Sequence, residues 1–298
     1  MNKATKKRTL QSTQDRIIDV IVLILMTAVL IFAMYPLVYV FSNSISATEA
    51  VLKREVWLLP KGFNLASYRW VFQDAEIGRA YINTAIYAIG GTAYSMLLTI
   101  LGAYPLSRKH LQGRNGIMMI ITFTMLFNAG MIPTFLLVKK LKMINTVWAM
   151  IIPCAVSQYN LIIMRTGFAG IPDELEEAAK IDGANDFYTL FHIMVPLAVP
   201  TIMTITLFYF IGRWNDFYNA MIYLNSSSKY PLQLVLRTKL VDETDASTYA
   251  MFLSGKDAIT PFSYKCALIL TSMLPMLIAY PFVQRFFVKG VTLGAVKG

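Results

Sequence analysis

Glu177, Ala178 and Ala179, followed at a fixed distance by Gly183, carry the most specific spacing in the chain. They sit in a polar stretch, EEAAKIDGANDFYTLFHIMVP (176–196), between two long apolar runs. The chemistry they offer is contact rather than catalysis. Pro172 suits the first turn of a helix, where its missing N–H is no loss, and Asp173, Glu174, Glu176 and Glu177 put negative charge at the positive end of the dipole. Gly183 supplies a left-handed cap that ends the helix. The expected length is about ten residues, roughly 15 Å, and helices so short are marginal in water unless they pack. Leu175, Ala178, Ala179 and Asp182 fall on one side at helical spacing, and the two alanines allow close backbone approach. The Glu177 carboxylate is fit to accept a charge-assisted hydrogen bond from a basic group across a contact. Two readings stay open: a helix docked on another protein, or one lying on this chain's own inner ends.

A second polar group, Arg213-Trp214-Asn215-Asp216, closes an apolar run. A charge deep in a bilayer costs about 2.5–3.5 kcal/mol on insertion scales, so Arg213 and Asp216 need an explanation. Three residues apart on a helix, they are placed to pair. A span beginning near Val195 puts Arg213 about 27 Å along, towards the outer surface. One reading is an interfacial pair flanked by Trp214 and Tyr218 as belt aromatics.

No catalytic or metal site competes. His110 and His192 fall in or beside loops without ligand spacing, and Cys154 and Cys266 lie in or at the edge of apolar spans, giving neither a disulfide framework nor a metal set. No nucleophile, base and orienter form a set. Gly255-Lys256 is followed by Asp257 and preceded by Ala250 where a phosphate-binding loop needs glycine, so this chain does not hydrolyse ATP alone.

The elements that must carry these residues are membrane helices. Of 298 residues, 56% are apolar and 15% charged, with a mean hydropathy of +0.53, a balance that excludes a soluble globule. A span needs about 20 apolar residues, and six runs qualify: 17–41, 80–105, 116–138, 146–165, 194–224 and 264–288. Their length favours helices over barrel strands, and the first is too long for a cleaved signal peptide. The net charge of +10 is scattered over tails and loops with no nucleic-acid motif. Lys3, Lys6, Lys7, Arg8 and Arg16 before the first span favour a cytoplasmic amino terminus. Loops 106–115 and 166–193 then face inward, and 42–79, 139–145 and 225–263 outward. The basic residues as a whole divide evenly between the two sides, with Lys139, Lys140 and Lys142 against the rule. Prolines such as Pro36, Pro105, Pro153 and Pro200 interrupt or end the runs, as kinks or as passive packing features.

Glu177-Ala178-Ala179, three residues, Gly183, nine residues, Ile193, one residue, then Val195-Pro196 resembles the EAA loop of bacterial ABC importer permeases, with Val195 where the family pattern has Leu. Ile171-Pro172-Asp173-Glu174-Leu175, Asp182-Gly183-Ala184, Asn145-Thr146-Val147-Trp148-Ala149, Trp214-Asn215-Asp216 and the Phe287-Val288-Lys289-Gly290 to Lys297-Gly298 tail look like the carbohydrate-uptake branch, which includes the smaller permease of the maltose transporter.

The resemblance implies an all-α integral membrane protein with six transmembrane helices and a cytoplasmic EAA coupling helix between the fourth and fifth. Residues 1–16 would form a cytoplasmic tail, 17–288 the permease domain, and 289–298 a second cytoplasmic tail, in a bacterial cell membrane. Leu175, Glu177, Ala178, Ala179, Asp182 and Gly183 would seat in a cleft of an ATPase. ATP and Mg would belong to partner subunits, with no cofactor on this chain. The implied partners are a second homologous permease, two ATPase subunits and an extracytoplasmic solute-binding protein. The implied cargo is carbohydrate, with an oligosaccharide as first expectation. On this reading Trp214, Asn215 and Asp216 line the outer part of a sugar pathway, since aromatic faces with amide and carboxylate groups suit sugar rings and hydroxyls. Loop 225–263, with Asp242, Glu243, Asp245 and Asp257, either reaches into the binding protein's cleft or is a surface loop. The rivals are an ABC permease for a polyamine or phosphonate, which the Asn145 and Trp214 strings oppose, and an ion-coupled secondary transporter, which needs central acids that the spans hold almost nowhere except Asp216. A plain membrane anchor leaves the EAA spacing unexplained.

Overall fold

The computed structural model describes residues 13–127, 129–241, 252–253 and 258–295. Lys3, Lys6, Lys7 and Arg8, the acids Asp242, Glu243, Asp245 and Asp257, and Lys297-Gly298 lie outside the described residues. Among those described the fold is helical, and the one strand-like feature is an isolated bridge between Ser46 and Phe63.

Helix α1 (Thr13–Ser44) is apolar around its circumference, and its large side chains from Ile17 to Leu37 are exposed, with Val38, Tyr39 and Val40 half-buried. That is the pattern of a helix whose surroundings are lipid. Short helices α2 (Thr48–Leu52) and α3 (Ala66–Gln73) follow. Helix α4 (Ala75–Ser107) is capped by Asp74, which accepts from the Glu76 N–H at 2.9 Å, and it holds a π-turn at Ile86–Gly90. Then come α5 (Arg114–Leu126), α6 (Met131–Lys140), α7 (Val147–Ile151), α8 (Gln158–Ala169), α9 (Glu174–Ile181), α10 (Asp186–Leu197), α11 (Val199–Trp214), α12 (Tyr218–Tyr223), α13 (Leu232–Val241) and α14 (Pro261–Ala295).

Three of the expected spans are not continuous. The 116–138 run divides between α5 and α6, with Gly130 at φ +85°. The 146–165 run stops at Ile151 and resumes at Gln158, and the 194–224 run bends by 85° between α10 and α11 and breaks again after Trp214. Pro200 lacks the N–H that would bond to the carbonyl of Pro196, which accounts for the bend. Among the described residues three helices are long and apolar enough to cross a membrane, and counting each bent pair as one span raises this to five. The expected run at 146–165, divided between α7 and α8, is not among these five.

Packing divides the chain into two units: Met1–Val71 with Thr244–Leu270, and Phe72–Glu243 with Thr271–Gly298. In the first, the end of α1 is knitted to the following loop by Ser42 Oγ donating to Leu58 O (2.6 Å) and Lys61 N donating to Ser46 Oγ (3.1 Å). Trp70, Phe252 and Tyr264 form an aromatic cluster with centroids 5.4 and 5.2 Å apart. The core of the second unit joins Met96, Ile100 and Tyr104 of α4, Met164 and Phe168 of α8, Met194 of α10, and Ile205 and Tyr209 of α11. Between apolar surroundings such a core gains by close packing rather than by excluding water. Small residues permit it: a Cβ on Gly167 of α8 would lie 2.8 Å from the Thr201 side chain of α11. A polar bridge crosses the same core, where the Tyr209 hydroxyl lies 2.8 Å from Thr99 Oγ1 and accepts from Ser157 N at 3.0 Å.

Candidate functional site

Helix α9 begins at Glu174, two residues after Pro172, and carries Glu174, Glu176 and Glu177 in its first turn. Gly183 stands at φ +81°, the left-handed conformation expected of the cap. Its N–H donates to Lys180 O (3.1 Å) and that of Ala184 to Ala179 O (2.9 Å), the paired bonds of a Schellman ending.

Two faces result. Leu175, Glu177, Ala178, Asp182 and Gly183 are exposed, and with them Ile181 at 86% and Phe187 at 69%. Glu176 and Ala179 are buried against the chain itself. The grouping of Ala179 with Leu175, Ala178 and Asp182 is therefore corrected. An inward anchor at Glu176, one turn earlier, rotates Ala179 to the inner side.

That anchor is Arg108, one residue beyond α4 and missed as a site residue by the sequence reading. Its side chain is 4% exposed, and Nη1 lies 3.1 Å from Asp173 Oδ1 and 3.2 Å from Glu176 Oε2. Nη2 donates to Phe168 O at the end of α8 (2.7 Å), Nε donates to Ser107 Oγ (2.9 Å), and the guanidinium lies 5.6 Å from the Tyr104 ring centroid. Lys180 Nζ donates to Glu176 Oε1 at 2.8 Å, and this carboxylate holds the ammonium above the ordinary lysine range. Arg114 and Arg165 both donate through Nε to Leu106 O (3.1 and 3.0 Å), so the ends of α4, α5 and α8 meet beside α9. The available signal for Arg108 was the acidic pair Asp173 and Glu176, one turn apart on a short helix and in need of a cation. His192 stacks on Tyr188 with centroids 4.2 Å apart, and no metal-ligand cluster occurs among the described residues.

The expected Arg213–Asp216 pair does not form. Arg213 Nη1 donates to Met150 O (2.8 Å), and Nη2 to Ser95 Oγ (2.8 Å), Ile151 O and Cys154 O (both 3.2 Å). Helix α7 stops at Ile151 and leaves its last carbonyls without intrahelical donors, which a guanidinium can satisfy. The approach is tight, since a Cβ on Gly91 would lie 2.6 Å from Arg213 Nη1. Asp216, beyond the end of α11, instead accepts from Asn219 N (3.0 Å) and Nδ2 (2.8 Å) in the first turn of α12.

Trp214 is 6% exposed, which removes it from any aromatic belt. The Trp214, Asn215 and Asp216 trio also separates. Trp214 and Asn215 line a cavity of about 330 Å³ with Gln233, Ser272 and Met273. Asp216 lines another of about 560 Å³ with Arg213, Asn219, Ser157 and Tyr159. Asn145 adopts a left-handed φ of +59°, its N–H donates to Tyr223 O (2.8 Å), and its amide donates to Ser226 Oγ (3.0 Å).

A short capped helix is thus tied through Arg108 to the ends of α4 and α8, two apolar helices of the second unit. Residues 7–293 match the family of binding-protein-dependent transport system inner membrane components, and the chain belongs to that family. It is the membrane permease subunit of an ABC importer, and ATP hydrolysis lies in partner subunits. The chain is 39% identical over 286 residues to the polygalacturonan/rhamnogalacturonan transport system permease protein YtcP of Bacillus subtilis (strain 168), covering 96% of this chain and 100% of that one. It is 26% identical to the arabinooligosaccharides transport system permease protein AraQ of Halalkalibacterium halodurans, covering 89% and 92%. In structure it is similar to a chain of a bacterial ABC transporter that imports the acidic polysaccharide alginate, with a TM-score of 0.89, 36% identity, and coverage of 94% and 99%.

Proposed function

We propose that this chain conducts an oligosaccharide of the acidic, uronate-rich class, paired with a second homologous permease, two ATPase subunits and an extracytoplasmic solute-binding protein. The observation that carries the coupling role is the two-sidedness of α9. Its inner face is held by Arg108 through Glu176, while Leu175, Ala178 and Ile181 stand bare on the other. An ATPase cleft is the proposed occupant of that outer face, with Glu177 accepting from a basic group there. Closure of the ATPases on ATP displaces α9, and Arg108 carries the displacement to α4 and α8. ATP and the loaded binding protein each favour the outward-open state, which is what shifts the population.

In this reading α1, α4, α5–α6, α7–α8, α10–α11 and α14 are six spans, and residues 17–288 form the permease domain. The tails 1–16 and 289–298 lie in the cytoplasm, and 225–263 faces the binding protein. The names of its relatives support the cargo: one is a polygalacturonan/rhamnogalacturonan transport system permease, and one belongs to a transporter involved in the import of the acidic polysaccharide alginate.

The test is ATP hydrolysis by the intact importer in proteoliposomes, with its binding protein presented empty, with oligogalacturonide, with arabino-oligosaccharide, or with a polyamine. Stimulation by oligogalacturonide is expected. Stimulation by polyamine alone rejects the sugar assignment. Glu177→Lys and Gly183→Asp are expected to leave the chain inserted but to abolish that stimulation.

A further inference from the structure

We infer that the cavity of about 560 Å³ beside Arg213 is a saccharide-binding site contributed by this chain, with the Asp216 carboxylate as the acceptor for sugar hydroxyls. The inference rests on the sugar-permease reading and adds to it the residues and the edge of the sugar that they read.

Its volume lies within the range of about 300–1,000 Å³ typical of small-molecule sites. Its walls are places where helices come undone. Cys154 and Ser157 come from the break between α7 and α8, and Asp216 from the break between α11 and α12. Irregular backbone at membrane depth is tolerated where it lines a cavity or is buried in protein, and transporters use such broken helices for their substrate sites.

The charges are arranged to hold a ligand rather than each other. Both Nη atoms of Arg213 donate to protein acceptors, so the guanidinium serves as wall and as a clamp on the α7 carbonyls. Asp216 receives two hydrogen bonds, both from Asn219, and no ammonium or guanidinium lies within 4 Å of it among the described residues. A carboxylate has about four lone-pair sites, which leaves acceptor capacity beside the Asn219 amide and the Ser157 hydroxyl. Tyr159 and Phe208, both exposed, add ring faces to the same lining. Acceptor, amide and aromatic face together suit the hydroxyl edge of a sugar ring. The carboxylate of a uronate would be repelled by Asp216, so an acidic saccharide must turn its neutral edge to this wall.

Cys154 reports on the site without mutation. Its side chain is exposed, lines the cavity and lies 3.9 Å from Asn219 Nδ2, whereas Cys266 is buried. The experiment uses the intact importer in proteoliposomes, with oligogalacturonide as the saccharide. In the presence of a non-hydrolysable ATP analogue, the saccharide-loaded binding protein is expected to slow labelling of Cys154 by a charged methanethiosulfonate severalfold relative to the empty one. Asp216→Asn is expected to lower uptake about tenfold, the loss expected for one hydrogen bond to a charged group, while ATPase stimulation by the loaded binding protein persists. Equal labelling with and without saccharide, or full uptake by Asp216→Asn, overturns the site while leaving the sugar-permease reading intact. Absence of saccharide uptake by the unmutated importer overturns both.

Discussion

Arg108 Nη1 and Glu176 Oε2 meet at 3.2 Å with both side chains withdrawn from solvent, at 4% and 6% exposure. This contact ties a helix fit for an outside partner to the ends of two membrane helices. Removing one member of a buried ion pair strands the other, at a cost of about 3–5 kcal/mol, whereas replacing both by apolar groups is often neutral. Arg108→Met is therefore expected to lower thermal stability and to abolish coupled uptake. In Arg108→Met/Glu176→Met, stability should return while coupling stays impaired. Unfolding in detergent and the ratio of solute moved to ATP consumed are the two measurements. Recovery of the full ratio in the double variant would show that the pair is packing alone.

Gly183 has open space around its Cα, so a methyl there meets no atom within 4 Å. Its φ of +81° is the obstacle. A left-handed conformation costs an L-residue about 1–2 kcal/mol, and asparagine tolerates it better. Gly183→Ala should weaken co-purification of the ATPase, with Gly183→Asn between it and the parent. An equal effect of both would point to side-chain volume instead of backbone conformation.

Ile181 is the most exposed apolar residue of α9, at 86%. Surface substitutions without internal partners change stability by about 0.5 kcal/mol or less. Ile181→Asp should accordingly unfold at the same temperature as the parent yet retain little ATPase after purification. A large fall in stability would place Ile181 against its own chain.

Gly91 leaves 2.6 Å between a would-be Cβ and Arg213 Nη1. Overpacking of this kind costs about 1–3 kcal/mol, and displacing the guanidinium also exposes the carbonyls of Met150, Ile151 and Cys154. Gly91→Ala should reduce both stability and uptake, and Arg213→Met should do so without any added methyl. Parent-like uptake in both would remove Arg213 from the transport machinery.

What the sequence made legible followed from local rules. The start, charge and cap of α9 are set within a dozen neighbouring residues, and the long apolar runs of α1, α4 and α14 need nothing beyond their own side chains. The breaks were harder to see. Pro153 and Pro200 were visible, but an apolar run reads the same whether its helix continues or stops at Ile151, because the deciding acceptors and donors come from elsewhere. Arg213 reaches carbonyls some sixty positions away, and Arg108 reaches Phe168 at a similar separation. Three-residue spacing suggested that Arg213 and Asp216 would join, yet the unfinished end of α7 offered more acceptors. Trp214 and Asp216, two apart, do not face each other even on a continuous helix, and the break after Trp214 leaves them lining separate cavities.

The close fit of Gly167 against Thr201 has a mechanical consequence. Less than a methyl's width separates Gly167 of α8 from the Thr201 side chain of α11, so the two helices have little room to slide against each other at this point. On the proposed coupling role, a stroke delivered to α9 would meet little compliance at this crossing, and α8 and α11 would shift together.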